Sequence, residues 1–99
     1  QMKEPVIAGL KADDLSQVTG GILRAGDRIH IFCRTDEEVK EVRRDVTIAQ
    51  VFDRTGNVIS NEDTTSVAER FNVYLDKGEV EQFFQKLGEG SIQVVKQTD

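Results

Sequence analysis

Asp27-Arg28-Ile29-His30-Ile31-Phe32-Cys33-Arg34 alternates without a break. Ile29, Ile31 and Cys33 fall on one side of an extended chain, and Arg28, His30, Phe32 and Arg34 on the other. A period of two over eight residues is the signature of a strand with one face in a core and the other largely in water. Gly26-Asp27 supplies a turn immediately before it. The fold must therefore be organised around a sheet.

Working outward, Val6, Ala8 and Leu10 alternate with Ile7 and Gly9, so an opening strand with apolar groups on both faces is expected. Pro5 suits its first position, where no ladder donor is needed. Residues 13–18 read as a short turn or helical segment, and residues 19–27, with Gly20 and Gly21, as a connecting loop. Residues 35–45 are ambiguous, because Thr35 with Glu38 resembles a capping box and Val39, Val42 and Val46 keep near-helical spacing. Their place between two strands favours a hairpin return.

From Asp45 to Asp53, Val46, Ile48 and Phe52 alternate against Thr47, Ala49 and Val51, as expected of a central strand covered on both sides. Arg54-Thr55-Gly56-Asn57 has tight-turn chemistry, Val58-Ile59 returns from it, and residues 60–65 form the polar stretch best suited to a mobile loop. Val67, Phe71, Val73 and Leu75 mark a further strand interrupted by Glu69. Asp76 and Glu79 form a capping box for a helix over residues 77–87, whose apolar face is Val80, Phe83, Phe84 and Leu87, with Gly88 or Gly90 as its stop. Ile92, Val94 and Val95 make a last strand, and residues 96–99 should fray. The expected class is mainly β (α+β): a small antiparallel sheet or barrel-like domain with one helix near residues 77–87.

Ninety-nine residues bury one core, so the chain is read as a single domain, with any second domain on another part of the parent protein. No basic segment followed by an apolar run lies near Gln1, so a signal peptide or anchor is expected to be either absent or removed. A net charge of −5 repels a phosphate backbone, which argues against nucleic acid as a partner. The single cysteine, Cys33, excludes an internal disulfide and four-Cys zinc sites, and on a strand it reads as a small buried apolar group.

Catalytic chemistry finds no footing. His30 and Cys33 are the one Cys/His combination, and three residues apart on a strand they point to opposite faces. His30 is then expected to be an exposed strand residue. The stretch from Asp53 to Asn57 lacks EF-hand spacing, which leaves only a looser calcium arrangement of Asp53, Asn57, Asn61 and Asp63, against the plainer reading of turn-forming polar residues. Gly20, Gly21 and Gly26 lack the strand, spacing and helix of a phosphate cradle. Five acids and three bases in residues 36–45 suggest a solvated face. No enzyme activity, no cofactor and no metal are expected.

The run Leu15-Ser16-Gln17-Val18-Thr19-Gly20-Gly21-Ile22-Leu23-Arg24-Ala25-Gly26-Asp27-Arg28-Ile29-His30-Ile31 resembles the extracytoplasmic region of Flp/Tad pilus assembly proteins of the CpaB/RcpC type. There a glycine-containing loop leads through a Pro-Gly-Asp-Arg-Val-Asp-Val type motif into a strand. Residues 45–53 continue the resemblance loosely, and beyond Thr65 it is one of architecture. Ala25 replaces the usual Pro and His30 the common Asp, as in a remote or Gram-positive-type branch. Gly20, Gly21, Gly26 and Asp27 carry the motif, and their expected role is structural.

Such proteins carry an N-terminal membrane anchor followed by a SAF domain, a β-clip module shared with sialic-acid synthases and flagellar P-ring chaperones. The resemblance implies a non-enzymatic assembly module outside the cytoplasmic membrane, lying beyond the anchor and SAF domain. Its partners would be other pilus or envelope assembly proteins. The alternative is a carbohydrate- or peptidoglycan-binding SAF-like module. Arg28, His30, Phe32 and Arg34 form the candidate contact face for either, because their charge opposes that of the whole chain.

Overall fold

The computed structural model describes residues 3–98. Five antiparallel strands form one sheet: β1 (Pro5–Lys11), β2 (Arg28–Arg34), β3 (Val39–Phe52), β4 (Arg70–Asp76) and β5 (Ser91–Lys96). Their spatial order is β1-β4-β3-β2-β5, which puts β3 at the centre and β1 and β5 at the edges. A 3-10 segment, Leu15–Gly21, follows β1, and helix α1, Val80–Leu87, lies between β4 and β5 behind a 3-10 turn, Lys77–Glu79. The protein is a small, mainly β, α+β domain.

β3 shapes the molecule. It is one 14-residue strand where a hairpin return followed by a shorter strand was expected; the return is confined to the turn after β2. There Thr35 Oγ1 accepts from the amides of Glu37 and Glu38 at 3.3 and 3.2 Å. The first part of β3 pairs with β2, from Val39↔Arg34 to Thr47↔Arg28, and its last part with β4, from Ile48↔Val73 to Phe52↔Arg70. Register shifts interrupt both pairings, and Asp45 sits in one of them with φ 56°. Such bulges bend a strand and increase its twist, which lets one strand serve both flanks.

The shift between Ile48 and Gln50 also corrects the expected alternation. Val46, Ile48 and Val51 are the buried residues, whereas Phe52 is half-buried. Nor is β3 covered on both sides: Thr47 and Ala49 are half-buried and Gln50 is exposed. An inserted residue reverses the parity of everything after it.

The core gathers Ile29, Ile31 and Cys33 of β2 with Phe71, Val73 and Leu75 of β4, and it is closed by Val18, Leu23 and Val94. Val67 is not part of that strand; it stands exposed before β4, and the neighbouring Ala68 takes the buried position. The capping box precedes α1 as expected, with Asp76 N–H donating to Glu79 Oε1 at 2.9 Å. Of its apolar face only Phe83 is fully buried, for a contribution of about 1.5–3 kcal/mol. Phe84 is 41% exposed and meets Phe83 edge to face, ring centroids 5.2 Å apart.

Residues 96–98 do not simply fray. Gln97 N–H donates to Arg28 O at 2.8 Å, and Lys96 pairs with Asp27 at 3.5 Å. Asp99 lies outside the described residues.

Candidate functional site

β2 presents Arg28, His30, Phe32 and Arg34 on the face opposite Ile29, Ile31 and Cys33. Antiparallel pairing sets Val95 beside His30, Gln93 beside Phe32 and Ser91 beside Arg34 from β5, and Thr47, Glu41 and Val39 beside Arg28, Phe32 and Arg34 from β3. Directly opposed residues share a face, so Val95 (46% exposed) and Val39 (49%) extend the apolar area around half-buried Phe32. Sequence reading missed both valines, because their side of the sheet is set by register rather than by composition.

The four predicted residues do share this face, but they are not equivalent. Arg28 and Arg34 are exposed, whereas His30 is 9% exposed, which corrects its expected position on a wet surface. Its Nδ1 accepts the Asp45 N–H at 3.1 Å and its Nε2 meets Gln97 Oε1 at 2.9 Å. With Nδ1 as acceptor, Nε2 carries the proton and donates to Gln97. His30 therefore ties the bulge of β3 to the chain beyond β5, and its ring nitrogens are engaged. Nor is the face purely basic, since Glu41 lies across from Phe32, ion-paired with Arg44.

Gly20, Gly21, Gly26 and Asp27 lie elsewhere: the first two end the 3-10 segment, and Gly26 and Asp27 hold the turn into β2. Gly26 has φ 90°, a conformation that favours glycine, and its N–H donates to Ile48 O at 2.8 Å. Asp27 Oδ2 accepts the Arg24 N–H at 2.8 Å, and Asp27 O accepts the Ile48 N–H at 2.9 Å. Gly21 packs against the segment before β4: a Cβ there would stand 2.5 Å from Val67 Cγ1, and Gly21 O accepts the Ala68 N–H at 2.9 Å.

A cavity of about 290 Å³ opens between Gly20-Gly21 and residues 61–67. Its cation is already in use. Arg24, which sequence reading did not single out, donates to the carbonyls of Asp63, Gly21, Leu23 and Ser66 at 3.0, 3.3, 2.7 and 2.6 Å. The loop expected to be mobile is bracketed by Asp63, which accepts from the amides of Thr65 and Ser66 at 2.9 Å each and from Ser66 Oγ at 2.5 Å. The Ser66 hydroxyl above all, with these amides, holds the Asp63 carboxyl well below the usual carboxylate range.

The residues of the looser calcium arrangement do turn work. Asp53 Oδ1 accepts from Thr55 and Asn57 amides at 2.9 and 3.0 Å, and Asn61 Nδ2 donates to Ala25 O at 3.0 Å. Among the described residues no group of three His, Cys, Asp or Glu side chains is placed to hold a metal ion. Cys33 is buried, with its Sγ 3.6 Å from Leu87 O, on the opposite face from His30. No helix among the described residues is long and apolar enough to cross a membrane.

No family model, curated protein or solved structure matches this chain.

Proposed function

We propose that the domain is a non-enzymatic assembly module of a cell-envelope apparatus of Flp/Tad pilus or secretion type, working outside the cytoplasmic membrane, and that it docks a partner protein through the outer face of β2 and β5. The observation that carries the docking reading is Phe32, Val39 and Val95 grouped on one sheet face between Arg28 and Arg34. Apolar contact area bordered by arginine is the composition enriched at protein interfaces, where guanidinium groups pair with carboxylates. The envelope setting is supported by the resemblance of residues 15–31 alone.

A protein partner suits this face better than a glycan. A sugar needs free donors and acceptors around its aromatic platform, yet the ring nitrogens of His30 are engaged and Gln93 Nε2 already donates to Ser16 O at 3.0 Å. A photo-crosslinking residue at Val95, expressed in the native host, tests the proposal. Adducts with envelope assembly proteins are expected. Labelling of cytoplasmic proteins only, or retention of the purified domain on peptidoglycan sacculi in a Phe32-dependent manner, would overturn it.

A further inference from the structure

The two edges of the sheet differ. Beside β5 lies the 3-10 segment, with Gln17 Nε2 donating to Ile92 O and Gln93 Nε2 to Ser16 O, both at 3.0 Å. β1 has β4 on one side and no strand on the other among the described residues. Two bonds reveal which of its backbone groups face outward. Lys77 N–H donates to Glu4 O at 2.9 Å and Ala12 N–H to Glu69 O at 3.1 Å, both in the register of the β1–β4 ladder. Bonded pairs alternate in an antiparallel ladder, so even-numbered residues bond to β4 while Ile7, Gly9 and Lys11 direct N–H and C=O away from it.

This edge carries little of the protection usual in natural sheets. Charged side chains, proline and bulges blunt exposed edges, and here Pro5 and Lys11 stand only at the ends of the strand. Between them Ile7 is 56% exposed and Gly9 has no side chain. A depression lined by Gly9, Lys11, Phe52, Arg70 and Asn72 lies over the same end of the outer face.

We infer that β1 pairs edge to edge with β1 of a second copy of this chain, antiparallel about a two-fold axis at Ala8. In that register Ile7 faces Gly9 of the other copy and exchanges both backbone bonds with it, and Lys11 N–H donates to Pro5 O. The two Ile7 side chains then lie diagonally across the axis, in the space the two glycines leave open, and all seven residues of β1 are paired. Neighbouring registers are poorer. A shift of two residues either way shortens the overlap from the seven residues of β1 to residues 5–9 or 7–11, and the second of these opposes Gly9 to Gly9 and sets Ile7 against Lys11. A single strand edge buries less than the roughly 1,200 Å² of stable interfaces, so the association is weak and concentration-dependent.

Sedimentation equilibrium up to about 1 mM, the range of weak association, tests this together with hydrogen exchange at high and low concentration. A monomer–dimer equilibrium is expected, with the Ile7, Gly9 and Lys11 amides gaining protection as concentration rises and those of Ala8 and Leu10 protected throughout. Ile7→Lys, at an exposed position, keeps the melting temperature and weakens dimerisation at least about tenfold. A chain that stays monomeric at about 1 mM overturns the inference and leaves the edge to a strand of another protein. So does an Ile7→Lys variant that dimerises as tightly as the parent. None of these readouts involves the β2 face, so the proposed partner docking stands or falls separately.

Discussion

Asp45 donates its backbone N–H to Nδ1 of His30 at 3.1 Å, and it does so from a left-handed conformation, φ 56°, inside a bulge of β3. The imidazole thus supplies from β2 the acceptor that the interrupted ladder fails to provide. His30→Ala leaves this part-buried donor unmatched and should cost about 1–2 kcal/mol. A solvated strand residue would change stability by less than about 0.5 kcal/mol, so urea denaturation of the two proteins separates the readings.

The conformation of Asp45 itself makes a second prediction. A β-branched side chain is poorly tolerated at positive φ, so Asp45→Val should lose about 1–2 kcal/mol, whereas Asp45→Gly should keep or slightly raise the denaturation midpoint. Equal losses in both variants would show that the aspartate side chain, rather than the backbone angle, matters at this position.

The adjacent phenylalanines of α1 should respond unequally. Phe83→Ala removes a buried ring and should cost about 3–5 kcal/mol. Phe84→Ala removes one that is 41% exposed and contributes mainly its edge contact, so about 1 kcal/mol is expected. Thermal melts of the two variants provide the comparison.

Asp63 should give the domain part of its acid sensitivity. Its carboxyl is held below its ordinary value of 3.8 in the folded chain, so the unfolded chain binds its proton first as pH falls. The stabilisation is present above that value and is lost as pH drops through the lower folded-state value. Asp63→Asn should therefore reduce stability at neutral pH and flatten the loss below about pH 4. Denaturation midpoints measured from pH 7 to pH 2 check the sign.

On the β2 face, Arg28→Ser with Arg34→Ser should weaken association with the crosslinked partner while leaving the melting temperature within a degree or two, because exposed charges contribute little to folding. Calorimetric titration of the double variant against that partner is the measurement.

How much of this was readable in advance depended on whether the information was local. The alternation of Ile29, Ile31 and Cys33, the capping box of Asp76 and Glu79, and the turn at Gly26-Asp27 each involve neighbours along the chain, and the structure keeps all of them. Of the candidate contact face, the shared side of Arg28, His30, Phe32 and Arg34 was legible for the same reason.

Tertiary structure decided what depends on partners far along the chain. The register shift of β3 against β4 between Ile48 and Gln50 replaced Phe52 by Val51 in the core, and nothing in the alternation from Val46 to Phe52 encodes it. His30 is buried because the Asp45 bulge and Gln97 converge on it from elements 15 and 67 residues away. Val95 and Val39 joined the same face through pairing, and Phe84 was left outside although its helical spacing matched that of Phe83. Periodicity determines which side of an element is apolar. Which part of that side is covered depends on how far the neighbouring elements reach, and this is settled only when the chain has packed.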